Sequence, residues 1–126
     1  MRSLRGLFDE FAAALQFPLY FGENEDAFNE CIAELEALMP GRGYVVVVTE
    51  PQLVLVDEDP PALSWLVRSL AAATADWAQP VDLGEWWDRP AVPFHVVLAA
   101  EGDHVAEAVR RWAGAGAEPL PFGAQS

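Results

Sequence analysis

Asp26, Asn29 and Glu30 stand three and four positions apart in a stretch that reads as helix. Residues at that spacing are neighbours on a helix surface, so two carboxylates and an amide share one face. Glu34 extends it. Phe28, Cys31, Ile32, Leu35 and Leu38 form a separate apolar stripe. One helix thus anchors itself inward while presenting carboxylates outward. Tyr20 and Phe21 place aromatic rings just upstream of the acidic face. Aromatic anchors beside ordered charges are what tight protein interfaces use. Carboxylates on a rigid helix also imitate phosphates toward the Arg, Lys or His of a partner. The same residues admit a plainer reading, a solvated acidic helix face. A third is a divalent-cation site at Asp26, Glu30 and Glu34. Magnesium and calcium need several oxygens converging from more than one element, which one helix face does not supply. No metal and no other cofactor is therefore expected.

The elements that must hold this face can be read from pattern. Residues 3 to 16 read as a helix, capped by Ser3, with Leu4, Leu7, Phe8, Phe11 and Leu15 at helical spacing. Pro18 ends it. In the tight segment that follows, Gly22 can take backbone angles other residues resist. Asn24 is a good N-cap for the acidic helix, expected from Glu25 to Met39. Glu25 and Asp26 fall in its first turn, at the positive end of the helix dipole. Gly43 to Thr49 is valine-rich without polar alternation, which predicts a strand buried on both faces. Leu53 to Val56 reads as either a strand or a helical turn. Ala62 to Ala78 reads as a third long helix, Gln79 to Pro93 as a long loop and Phe94 to Ala100 as a second strand. Asp103 is placed as the cap of a last helix ending near Trp112. Helices alternating with buried strands predict an α/β fold, a small parallel sheet packed with helices. The expected domain spans residues 1–113, with 114–126 as an extended tail rich in Gly, Pro and Ala.

Composition narrows the partners. The chain has 126 residues and 52% hydrophobic residues, enough for a single globular core. Twenty acids oppose seven bases, all of them Arg, for a net charge of -13. Such a field repels nucleic acid and anionic membrane and attracts cationic partners, although acidity also serves solubility alone. No signal peptide or spanning segment is visible. One cysteine can make neither an internal staple nor a zinc site, which points to reducing cytoplasm. Cys31 lies on the apolar stripe and reads as a buried thiol rather than a reactive one. His95 reads as a core histidine within its strand, and His104 as exposed. They form no acid–base pair, and no glycine-rich phosphate loop or nucleophile triad is present, so no catalytic residue is assigned. Trp86-Trp87 reads equally as a second binding patch or as a cover for the core.

The run Tyr20-Phe21-Gly22-Glu23-Asn24-Glu25-Asp26-Ala27-Phe28-Asn29-Glu30-Cys31 resembles the signature of the barstar family, intracellular inhibitors of barnase-type secreted ribonucleases. That signature runs aromatic pair, Gly, polar residue, Asn, any residue, Asp-Ala, apolar residue, any residue, acid, and often Cys. The resemblance covers roughly residues 5 to 78, and the strand at 94 to 100 more loosely. It implies that loop and helix insert into a basic ribonuclease's active site and block it. Tyr20 and Phe21 would then be contact aromatics, and Gly22 would present backbone for close approach. Asn24 would cap the helix and touch the partner, while Asp26 and Glu30 pair with the cations that otherwise hold RNA phosphate. Glu25 and Asn29 complete the implied contact set. Glu30 stands where the best-known member has the shorter Asp, Asn29 where it has Trp, and Glu25 where it has Leu. These exchanges fit a different ribonuclease or a ribonuclease-like toxin domain. The resemblance implies a protein that is monomeric when free and turns nothing over. It also leaves room for a scaffold or regulatory module without inhibition, and the carboxylates for a metal-dependent enzyme.

Overall fold

The computed structural model describes residues 1–17, 24–33, 35, 43–86 and 88–119. Helix α1 spans Leu4–Leu15. Ser3 caps it as expected, its hydroxyl oxygen accepting the Gly6 N–H at 3.1 Å. Glu58 brings a carboxylate oxygen to the Leu4 N–H at 2.9 Å, placing negative charge at the positive end of the dipole. The chain then turns at Gln16, in the left-handed region at φ 55°. The N–H groups of Gln16 and Phe17 both bond the Ala12 carbonyl.

Helix α2 spans Glu25–Ala33, and Leu35 continues its buried side. Its expected extension to Met39 falls on residues outside those described. Strand β1, Tyr44–Thr49, pairs in parallel with β2, Phe94–Ala99. Tyr44 stands opposite Phe94, and Thr49 opposite Ala99. These two strands make the sheet among the described residues. The long helix α3, Pro61–Trp77, lies between them in sequence, with proline at its start where a missing N–H costs nothing. The last helix, α4, is Val105–Gly114. The architecture is therefore α/β, with four helices and a small parallel sheet among the described residues. No helix among the described residues is long and apolar enough to cross a membrane.

Phe28 of α2 sits at the centre of an aromatic knot. Its ring centroid lies 5.1 Å from Phe11, 5.3 Å from Trp65 and 6.1 Å from both Phe8 and Phe17. The contacts with Phe11, Phe17 and Trp65 are edge-on, the arrangement that sets a ring's positive edge on a neighbour's negative face. On the sheet side, Tyr44 packs 5.3 Å from Trp77.

Several expectations are corrected. The valine strand is not buried on both faces. Tyr44 and Val48 point inward, whereas Val45 is 63% and Val47 56% exposed. The unbroken valine run reflects preference for the pleated backbone, not two-sided burial. His95 is not a core histidine. The register sets it opposite Val45, on the open face, and it is exposed. Of the two readings of Leu53 to Val56, the helical turn holds and the strand does not. Pro51–Leu53 forms a 3-10 turn and the chain keeps turning beyond it, with Val54 and Leu55 buried. Arg111 of α4 holds this turn, donating to the Gln52 and Val54 carbonyls at 2.9 Å each, and the Trp112 indole donates to Pro51. Asp103 lies within a 3-10 turn, Gly102–His104, and α4 starts after it, at Val105. That helix runs past Trp112 to Gly114, and Ala115 and Ala117 still pack against the core.

The two kinds of position should separate in urea melts. Phe28→Ala is expected to lower unfolding free energy by about 3–5 kcal/mol, since it empties the centre of a packed core. Val45→Thr, on the open face, should change it by no more than about 0.5 kcal/mol.

Candidate functional site

The site is built on the start of α2. The Asn24 side-chain oxygen accepts the Ala27 N–H at 2.8 Å, and the Asn24 carbonyl accepts the Phe28 N–H at 2.9 Å. Asn24 is thus the N-cap, with its side chain satisfying one of the amides a helix start leaves open. Glu25 and Asp26 occupy the first turn, where their charge favours the dipole.

Helical spacing then sorts the side chains. Phe28, Cys31 and Ile32 are buried, while Glu25, Asp26, Asn29 and Glu30 are exposed. Cys31 is a buried thiol. The far end of α2 is tied down by a buried hydrogen bond, in which the Trp77 indole N–H donates to the Ile32 carbonyl at 3.1 Å. Aromatic packing at Phe28 and this bond together fix the helix on its inner side. The carboxylates of Asp26 and Glu30 are carried outward as neighbours one turn apart. Tyr20, Phe21 and Gly22 lie outside the described residues, as does Glu34.

Sequence reading missed what flanks this face. An open groove of about 250 Å³ runs between α2 and α3. Asn29, Ile32 and Ala33 form one wall, and Trp65, Arg68, Ala72 and Asp76 lie along the other. The signal was available. Arg68, Ala72 and Asp76 recur every four residues on a predicted helix and so share a face. Among the described residues, no cluster of three or more His, Cys, Asp or Glu side chains could hold a metal ion.

The result is a small α/β domain that holds one helix by its aromatic side and leaves carboxylates exposed on the other. The family profile named Barstar (barnase inhibitor) matches residues 1–99, which takes in α1, α2, α3 and both strands. The chain belongs to the barstar family, a family of inhibitors. No curated protein and no solved structure shows a significant match to the chain.

The cap has its own test. Asn24→Ala should destabilise the domain by about 1 kcal/mol in urea unfolding, whereas Asn24→Ser or Asn24→Asp, which keep an acceptor, should stay close to the parent.

Proposed function

We propose that this protein binds a basic, barnase-like ribonuclease or ribonuclease-like toxin domain and blocks its active site, without catalysing any reaction. The contact surface runs from Tyr20, Phe21 and Gly22 through Asn24, Glu25 and Asp26 to Asn29 and Glu30. The observation that carries this reading is the exposed acidic face of α2, held rigid on its inner side within a barstar-family scaffold.

The chemistry follows from what a ribonuclease must do. Its active site gathers cationic side chains to hold a phosphodiester. Two carboxylates one helical turn apart offer those cations a substitute for phosphate oxygens. Because Asp26 and Glu30 are positioned before the partner arrives, little ordering entropy is lost on binding. RNA is then excluded both by bulk and by the loss of the positive potential that attracts it. The net charge of -13 acts at longer range, steering a basic partner and raising the association rate. Repulsion by the same field keeps RNA and anionic membranes from competing for this surface. The free inhibitor is monomeric and works in the cytoplasm, where it protects cellular RNA.

Inhibition should be near-stoichiometric when barnase and related basic ribonucleases are titrated in a fluorogenic RNA-cleavage assay. Asp26→Lys and Glu30→Lys should each weaken binding at least about thirtyfold, because they leave a partner cation facing like charge in a desolvated contact. Glu30→Lys should leave the urea midpoint close to the parent, and Asp26→Lys should cost no more than about 1 kcal/mol through the lost dipole interaction, too little to unfold the domain. The association rate should fall steeply with added salt. Unchanged affinity in both reversals would place the contact elsewhere.

A further inference from the structure

Residues 81 to 89 form a loop braced by several hydrogen bonds of its own. Val81 and Arg89 close its base by exchanging two backbone hydrogen bonds, at 2.8 and 2.9 Å. Inside, the Asp88 carboxylate accepts the N–H groups of Leu83, Gly84 and Glu85 at 3.0, 2.8 and 3.2 Å. Gly84 has φ +77°, a conformation that residues with a side chain rarely adopt. The loop is therefore shaped by its own groups.

What it displays is apolar. Trp86 is 91% exposed and Leu83 71% exposed. Of the two readings of the tryptophan pair, core cover fails for Trp86, and Trp87 lies outside the described residues. Scattered exposed apolar residues are ordinary on protein surfaces. Two large ones on one small, internally braced loop are a different matter, because the bracing holds both largely in water. Trp is also the residue most enriched at the energetic centres of protein interfaces. Asp82 and Glu85 flank the pair and are exposed, so the apolar tip carries an acidic rim.

Trp77 connects the base of the loop to the inner side of α2. The Arg89 guanidinium lies 4.3 Å over the Trp77 ring and donates to the carbonyls of Asp76 and Trp77. Asp76 lines the same groove as Asn29, and the Trp77 indole holds Ile32.

We propose that the 81–89 loop is a second contact with the same basic ribonuclease, in which Trp86 and Leu83 enter an apolar recess bordered by cationic side chains. This rests on the reading of α2 as the inhibitory face and adds an anchor to it. Charge complementarity selects the occupant. The acidic rim repels a second copy of this acidic chain and attracts a basic surface. The two contacts divide the labour. Carboxylates on α2 govern approach and fill the phosphate site, while the tryptophan slows departure.

The test compares full-length wild type with Trp86→Ala, Leu83→Ala and Asp26→Lys by surface-plasmon kinetics, using barnase and related basic ribonucleases as probes. Trp86→Ala is expected to weaken affinity about tenfold or more, almost wholly through faster dissociation. Its urea midpoint and the salt dependence of its association rate should match wild type, because no charge and no core contact is lost. The indole N–H signal of Trp86, assigned with Trp86→Phe, should shift and gain protection from exchange in the complex. If Trp86→Ala and Leu83→Ala bind within twofold of wild type while Asp26→Lys does not bind, the loop proposal is overturned and the α2 reading stands. If wild type binds none of these ribonucleases, both fall together.

Discussion

Trp77 is the residue through which the separate parts of the molecule constrain one another. Its indole N–H reaches the Ile32 carbonyl, its ring packs on Tyr44 of β1, and the Arg89 guanidinium stacks on the same ring. Its own carbonyl, at the end of α3, accepts the Val92 N–H at 2.7 Å on the approach to β2. Helix, strand and loop thus meet on one side chain. Loss of the Ile32 carbonyl would leave the buried indole N–H without a partner. The geometry of one element is therefore hard to change without disturbing the others, and α2 inherits its orientation from the whole set.

That constraint explains how a helix with so acidic an outer face is held in place. Repulsion among Glu25, Asp26 and Glu30 acts across solvent and is weakened by it. The inner face is held by close aromatic contacts around Phe28, where burial and ring geometry favour a single arrangement. The inner contacts are short-ranged and dry, whereas the outer repulsions are screened. Because the first prevail, the carboxylates can be crowded together on the surface without moving the backbone.

Much of this was legible in the chain. Ser3 and Asn24 announce the starts of α1 and α2 because capping is a local event, written within four residues. The stripe of Phe28, Cys31 and Ile32 announces the inner face of α2 because helical period is local too. Properties that depend on a distant partner were not legible. Whether the valine strand has one covered face or two depends on how many layers flank the sheet. The placement of His95 depends on its register opposite Val45. Residue type leaves Trp86 open between core cover and binding patch, and its exposure is settled only by how its loop folds. The α2–α3 groove needed two helices to be brought together, although the four-residue spacing of Arg68, Ala72 and Asp76 had already placed its second wall on one face.

The same separation of roles bears on partner choice. Glu25, Asn29 and Glu30 depart from the best-known barstar pattern, and all three are exposed in this structure. Substitution there changes charge, reach and apolar contact toward a partner while leaving the aromatic knot and the Trp77 bonds untouched. Exposed positions of this kind typically shift stability by no more than about 0.5 kcal/mol, so the display surface can change with little consequence for folding. The exchange at Asn29 removes a large apolar contact from the centre of the helix face. Trp86 presents an exposed indole on a separate, braced loop. An indole supplies desolvation energy wherever a matching recess exists, and a carboxylate supplies orientation and encounter rate wherever cations cluster. In this chain the two have been parted. The carboxylates stay on α2, held from within by Trp77, and the exposed indole lies on a loop braced by Asp88 and Arg89.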